Sequence, residues 1–248
     1  HGYDVRLSDV QKRQAISAMG RELEQDAGIR FIELETNSIR LFRDFGRWGL
    51  HAHGYGLGTA ARLLSGYLDR LYIPSSFPSA EIFPWASHPD TDPLFSDENL
   101  MIIHDGCEAS RTEKVSAIAD IAFAQKHLRV CTAKIEGLYN CGCCEKCLRI
   151  MTGLYAQGQL DQFTTFSADL DPNSIKRLII NDQSARKFVR DNIGLLESKG
   201  MGDDPVCQAW REIYQRNSIQ TKWLKTKKYS QKLVHKMQTK LQWSVGNR

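Results

Sequence analysis

The sequence predicts an α/β protein with a parallel sheet, a four-cysteine metal loop and a helical C-terminal region. Three observations lead there. From residue 1 to residue 131, short apolar runs of strand type alternate with segments of helical spacing, an order that builds parallel strands through right-handed crossovers. Cys131, Cys141, Cys144 and Cys147 fall at the spacing of metal ligands. Residues 159–212 then read as consecutive helices with no strand between them.

Taken in order, His1-Gly-Tyr-Asp4 reads as the end of a strand and its turn. Ser8-Asp-Val-Gln11 has the form of a capping box, and Val10, Ile16, Met19 and Leu23 follow at helical spacing until Gly28. Arg30 to Glu35 alternates apolar and polar residues, which predicts a strand. Residues 37–47 form a short polar connection with helical character, His51 to Gly66 predicts a second helix, and Leu71-Tyr-Ile73 predicts a strand ending at Pro74-Ser75-Ser76. Phe77 to Asn99 is a long loop with four prolines, and its aromatics, Phe77, Phe83, Trp85 and Phe95, predict that it is ordered. It follows the carboxyl end of a strand, where open α/β sheets bind ligands.

Leu100 to His104 predicts a further strand, and Ser110 with Glu113 a second capping box at the start of a helix. Arg111 and Lys114 lie in that first turn, where cations oppose the helix dipole, a placement that favours anion binding. Leu128 to Cys131 predicts another strand. The helix from about Glu145 to Gln157 ends at Gly158; Asp171-Pro172, Ser184 to Ser198 and Pro205 to Arg216 supply the rest. The domain organisation expected is therefore 1–158, a helical 159–212 and a tail 213–248.

The cysteine segment carries the most chemistry. Two residues separate Cys141 from Cys144 and two more separate Cys144 from Cys147, while nine separate Cys131 from Cys141. A Cys-x-x-Cys turn aims two thiolates at one point, Gly142 permits the turn, and Cys131 supplies the fourth sulfur. Structural zinc is the reading; Lys146 and Arg149 are placed to offset the net charge of about −2 on a tetrathiolate zinc. Cys143 is spare. An iron–sulfur cluster is the alternative, although the usual close fourth Cys and Pro are missing. A disulfide framework fits poorly, because the chain has seven cysteines, an odd number, and at 248 residues can bury a core.

Two glycine- and serine-bearing stretches invite a ligand. Gly54-Tyr-Gly56-Leu-Gly58 admits a phosphate-loop reading and a reading as tight helix packing; it lacks the full fingerprint, and packing is the simpler role. Ser75, Ser76, His88 and Asp92 are candidate binding residues above the sheet, with turn and capping chemistry as their other explanation.

Composition is ordinary for a globular chain: 42% hydrophobic, 25% charged, net charge +4. No run of eighteen apolar residues suggests a transmembrane helix. Reduced thiols in a metal-type pattern suggest the cytoplasm. The charge is unevenly placed, for residues 213–248 hold nine Lys/Arg and no Asp/Glu. With Trp223, Tyr229 and Trp243 interleaved, this tail suits nucleic acid, through phosphate contacts and stacking, or an acidic membrane surface.

With these pieces in place, the chain resembles the PP-loop ATP pyrophosphatase superfamily, close to the 7-cyano-7-deazaguanine synthases. The resemblance rests on His1-Gly-Tyr-Asp4, Tyr72-Ile-Pro-Ser-Ser76, Ser87-His-Pro-Asp-Thr-Asp-Pro93, His104-Asp-Gly106 with Ser110-Arg-Thr-Glu-Lys114, and Asn140-Cys-Gly-Cys-Cys-Glu-Lys-Cys147. It covers roughly residues 1–158. It implies a Rossmann-like, adenine nucleotide alpha hydrolase-like sheet, zinc on Cys131, Cys141, Cys144 and Cys147, and ATP with Mg²⁺. The implied reaction activates a carboxylate or amide by adenylation, releasing pyrophosphate, before ammonia or another nucleophile displaces AMP. By the same resemblance Arg111 and Lys114 face phosphates, Ser75 and Ser76 border the nucleotide or acceptor pocket, and the His88 to Asp92 loop covers the acceptor.

The family's Ser-Gly-Gly-x-Asp-Ser loop does not occur in these 248 residues. The resemblance places it upstream of His1 by one strand–helix–strand unit, on the order of 30 residues. The rival expectations are a catalytically silent zinc-bearing adaptor acting through its basic tail, and an RNA sulfur-transfer enzyme with an iron–sulfur cluster. The acceptor is unidentified, and self-association into a homo-oligomer is a further expectation about partners.

Overall fold

The computed structural model describes residues 1–44, 46–133, 139–166, 169–180, 183–217, 219–224, 226 and 230. The chain is mixed α/β and divides into two compact units, His1–Cys141 with Gln159–Ser167, and Gly142–Gly158 with Ala168–Arg248.

In the first unit, α1 (Val10–Ala27) is capped by Asp9, whose carboxylate accepts the Lys12 N–H at 3.4 Å. The cap thus falls one residue after the Ser8 expected from the sequence. Gly28, at φ 64°, ends the helix by returning its N–H to the Glu24 carbonyl. After α2 (Ile39–Arg43) a wide turn over Trp48–Ala52 leads into α3 (His53–Leu63). Two strands, β1 (Arg70–Pro74) and β2 (Met101–Asp105), pair in parallel with Arg70 opposite Met101 and Pro74 opposite Asp105. Ile73, Leu100 and Ile102 bury their side chains with Ala61 of α3, and Leu68, Leu71 and Phe95 close around them. Two short helices follow, α4 (Arg111–Ile118) and α5 (Ala122–His127).

Two expected strands do not form regular ladders. Residues 30–35 have no regular secondary structure; the Phe31 N–H goes to the Glu24 carboxylate, and the backbone of the segment pairs with His1, which accepts the Thr36 N–H at 3.1 Å and whose amine donates to the Leu34 carbonyl. That is one parallel rung, too short for a strand. Residues 128–131 also form no strand: the N–H groups of Val130 and Cys131 go to the Asn140 side chain.

The loop after β1 is ordered. Short 3-10 turns at Ser79–Glu81 and Asp92–Phe95 shape it, and Phe77, Phe83 and Trp85 pack ring against ring with centroids 4.8–6.1 Å apart. Helix α3 approaches this loop closely. A Cβ added at Gly54 would lie 1.8 Å from the Ala86 carbonyl oxygen, and one at Gly58 would lie 2.6 Å from the Phe95 ring. Close packing thus accounts for these glycines.

The second unit is helical: α6 (Glu145–Ala156), α7 (Pro172–Lys176), α8 (Gln183–Ser198) and α9 (Pro205–Gln215). Asp171 and Asp204 cap α7 and α9, each with proline at the first helical position, as their sequences predict. Leu148, Ile175, Val189, Leu196, Val206 and Trp210 form its core. The Trp210 indole is fully buried, and its Nε1–H donates to Thr152 Oγ1 at 2.9 Å.

Candidate metal centre

Cysteine geometry starts from a glycine. Gly142 sits at φ 67°, a left-handed conformation that folds the chain back between Cys141 and Cys144. Cys144 then caps α6 with extended backbone, which brings Cys147 into the first turn of the helix on the same side. Their sulfurs lie 3.5 Å apart.

Cys131 lies in a segment without regular secondary structure that is held by Asn140. The Asn140 Oδ1 accepts the N–H groups of Val130 at 2.9 Å and Cys131 at 3.2 Å, and its Nδ2 donates to the carbonyls of Leu128 and Thr165. All four polar valences of the amide are engaged while the residue is 1% exposed. One side chain therefore replaces the ladder that a neighbouring strand would have provided.

The outcome is four sulfurs, of Cys131, Cys141, Cys144 and Cys147, all within 4.8 Å of one another. Tetrahedral coordination with Zn–S bonds of about 2.3 Å needs sulfur separations of about 3.8 Å, so the set matches a single ion. A cluster core holds its cysteines further apart. Cys131 and Cys147 are buried and Cys141 and Cys144 are half-buried, whereas Cys143 is exposed. The spare cysteine is thus the one read as spare from its spacing.

The surroundings favour thiolates. The Ala133 N–H donates to Cys131 Sγ at 3.2 Å, a contact that stabilises negative sulfur. Buried Lys12 reaches across from α1 to the Ala133 carbonyl. Arg129 donates to the Cys131 carbonyl and pairs with Asp4; burial holds its pKa below the usual arginine value, against the charge of Cys131, which acts to raise it. Of the cations expected to offset the sulfurs, Arg149 pairs with Glu145 at 3.3 Å and lies 3.8 Å above the Phe188 ring. Lys146 is exposed. Lys12, Arg129 and Asn140 had no role assigned from sequence; the one available signal was the Asn placed directly before Cys141.

The remaining candidates gather at the carboxyl ends of β1 and β2. Ser75 is buried, its N–H donates to the Asp105 carbonyl at 2.6 Å, and its hydroxyl turns inward to the Phe77 carbonyl. Ser76 beside it is half-buried. Lys114 Nζ donates to the Ser75 carbonyl at 2.9 Å and so links α4 to the end of β1. Its pKa is lowered, first by burial and then by the neighbouring Arg111 charge, with Cys107, Glu108 and Asp105 acting in the other direction. Ser110 and Glu113 form the complete capping box that presents both cations.

Asp92 is wholly buried, and its carboxylate serves the loop itself. Its Oδ2 accepts from the Ser87 hydroxyl at 2.6 Å and lies 2.7 Å from His104 Nδ1, while its Oδ1 faces the His88 N–H at 3.3 Å. The His88 imidazole accepts the Asp90 N–H at 3.1 Å. His104 belongs to β2, so this carboxylate ties the loop to the strand.

In the basic tail, residues 219–224 are helical and include Lys222 and Trp223, whereas Lys225, Lys227, Lys228, Tyr229, Lys232, Lys236, Lys240 and Trp243 lie outside the described residues. Among the described residues no helix is long and apolar enough to cross a membrane.

No protein-family model matches the chain, and neither a curated protein nor a solved structure does.

Proposed function

We propose that this chain is the ATP-activating part of an adenylate-forming enzyme of the PP-loop pyrophosphatase type, built on a Rossmann-like sheet, with a structural zinc on Cys131, Cys141, Cys144 and Cys147. The observation that carries the reading is the pair of cations, Arg111 and Lys114, at the carboxyl end of a parallel strand pair, with Lys114 anchored on Ser75. Open α/β sheets receive ligands at this edge. Lys114 loses basicity partly through Arg111, so an anion placed between them relieves both the repulsion and the desolvation.

In this scheme an acceptor carboxylate or amide oxygen attacks the α-phosphorus of ATP and pyrophosphate leaves. Arg111 and Lys114 hold the departing phosphates and stabilise the charge that grows on them. Mg²⁺ bound to the triphosphate supplies further neutralisation. Ammonia or another nucleophile then displaces AMP from the activated carbon. Ser75 and Ser76 border the pocket, and the loop fixed by Asp92 keeps His88 near the acceptor. Zinc takes no part in the chemistry; it closes the segment from Cys131 to Cys147.

The test uses the product of the complete reading frame, including whatever precedes His1. It is incubated with ATP, Mg²⁺, ammonium and a panel of carboxylates, and AMP and pyrophosphate are quantified. AMP and pyrophosphate in equal amounts, reduced by roughly 100-fold or more in Lys114→Ala and Arg111→Ala, support the reading. ADP as the sole product overturns it, and so does a complete reading frame without a phosphate loop whose product neither binds nor turns over ATP. That second outcome leaves a zinc-bearing adaptor.

A further inference from the structure

We propose that the Lys12 ammonium is the charge partner of the four-cysteine site, so that retention of the ion depends on a residue of α1. The inference rests on the structural-zinc part of the proposed function and does not involve the adenylation chemistry. It begins with an inversion on α1: Lys12 is 7% exposed, whereas Val10, two residues before it, is 56% exposed. Among the described residues no other lysine or arginine is buried. Charged side chains enter the interior only where something balances them.

A carboxylate does not supply the balance. Asp9 spends its carboxylate on capping the helix, where it accepts the Lys12 backbone N–H. The Lys12 ammonium donates to the Ala133 carbonyl and makes no ion pair among the described residues. Ala133 in turn donates its N–H to Cys131 Sγ at 3.2 Å, so a single residue stands between the ammonium and the sulfur. The placement is fixed along the helix. Tyr139 donates to the Ala15 carbonyl at 3.2 Å, and Lys126 and His127 both reach the Glu22 carboxylate, so α1 is tied at residues 12, 15 and 22 to the stretch that carries Cys131.

Four thiolates around zinc leave a net charge of about −2, which calls for a cation held out of water. Helix α6 offers Lys146, which is exposed, and Arg149, which pairs with Glu145 at 3.3 Å. Arg129 donates to the Cys131 carbonyl at 3.3 Å and has Asp4 as its own anion. Lys12 is the buried cation that no carboxylate balances among the described residues, and the four sulfurs, within 4.8 Å of one another, are the anion it meets.

The test uses the full 248-residue chain and its Lys12→Met, Lys12→Gln and Lys12→Arg variants, stripped of metal and titrated with zinc alone in competition with a chromophoric chelator. Lys12→Met and Lys12→Gln are each expected to weaken zinc binding tenfold or more, and Lys12→Arg to stay within about threefold of the unmodified chain. Gln keeps a donor for the Ala133 carbonyl without the charge and Arg keeps both, so these two variants separate charge from hydrogen bond even where the methionine variant fails to fold. Urea midpoints supply a second readout. In Lys12→Met the midpoint of the zinc-loaded chain is expected to fall while that of the stripped chain holds or rises, because replacing a buried ammonium by an apolar group of similar size costs that form nothing. Zinc binding unchanged in Lys12→Gln, or weakened as much in Lys12→Arg as in Lys12→Gln, overturns the proposal. An equal fall of both midpoints also overturns it and assigns Lys12 to packing. An unmodified chain that takes up no zinc overturns the metal reading together with this proposal, whereas the preceding outcomes overturn this proposal alone.

Discussion

The carboxamide of Asn140 takes the Cys131 N–H at 3.2 Å while also taking that of Val130, so the position of the first candidate ligand is set by the residue that precedes the second. Asn140→Ala removes the one oxygen that accepts both N–H groups and frees the carbonyls of Leu128 and Thr165. Zinc affinity, measured by competition with a chromophoric chelator, is expected to fall roughly 10- to 100-fold, the usual effect of losing a group that orients a ligand. An unchanged affinity would show that the thiolates orient Cys131 unaided.

The four sulfurs within 4.8 Å make a quantitative claim about stoichiometry. Protein purified without chelator is expected to carry one zinc per chain by elemental analysis. Cys144→Ser and Cys147→Ser are expected to lose it, and Cys143→Ser to retain it. Stripping the ion should also lower the melting temperature, because metal binding is coupled to folding. Acid-labile sulfide with more than one iron per chain, in place of zinc, would reverse the single-ion reading.

Asp92 collects Ser87, His88 and His104 on one buried carboxylate. Asp92→Ala strands those partners in the interior, and a loss of about 3–5 kcal/mol in urea unfolding is expected. Asp92→Asn keeps the size and one acceptor and should cost less. Near-neutral stability in the alanine variant would mean that the loop is held by its aromatics alone.

His53 gives the fold a dependence on pH. Its Nδ1–H donates to the Trp48 carbonyl at 3.3 Å, and burial among the rings of Trp48 and Trp85 pushes its pKa down, against the opposing effects of the Trp48 and Gly49 carbonyls and of Asp92. The folded state keeps this imidazole neutral at a pH where the unfolded chain, with a value of about 6.5, has begun to bind a proton. The unfolded state then holds more protons, so the contribution is complete above about pH 6.5 and is lost as pH falls through that value toward the folded pKa. Unfolding free energies at pH 7.5, 6.5 and 5.5 should decline, and His53→Gln should flatten the decline. An identical slope in the variant would assign the effect to other groups.

Much of the fold was legible because its signals are local. The Ser110–Glu113 box, the Asp171-Pro172 and Asp204-Pro205 starts and the Cys-x-x-Cys turns all close within a few residues, where side-chain chemistry alone decides. Strand formation was less legible, because a strand exists only with a partner. Residues 30–35 and 128–131 have the expected composition, yet the first makes one backbone rung with His1 and the second gives the N–H groups of Val130 and Cys131 to the Asn140 side chain. The pairing of Asp92 with His104 was hidden for the same reason, since it depends on how the loop turns back on β2. Lys12 lies more than a hundred residues from Ala133, and no spacing rule connects them.

Asn140 and Gly142 have a consequence for the order in which the chain assembles. The four clustered sulfurs all lie between residues 131 and 147, so closing a ring around an ion there costs little chain entropy. The parallel pair β1 and β2, by contrast, must close a loop from residue 74 to residue 101 before any rung forms. A nascent chain can therefore bring these four sulfurs together as a local step, on the sub-microsecond timescale of short-loop closure, ahead of the slower non-local pairing.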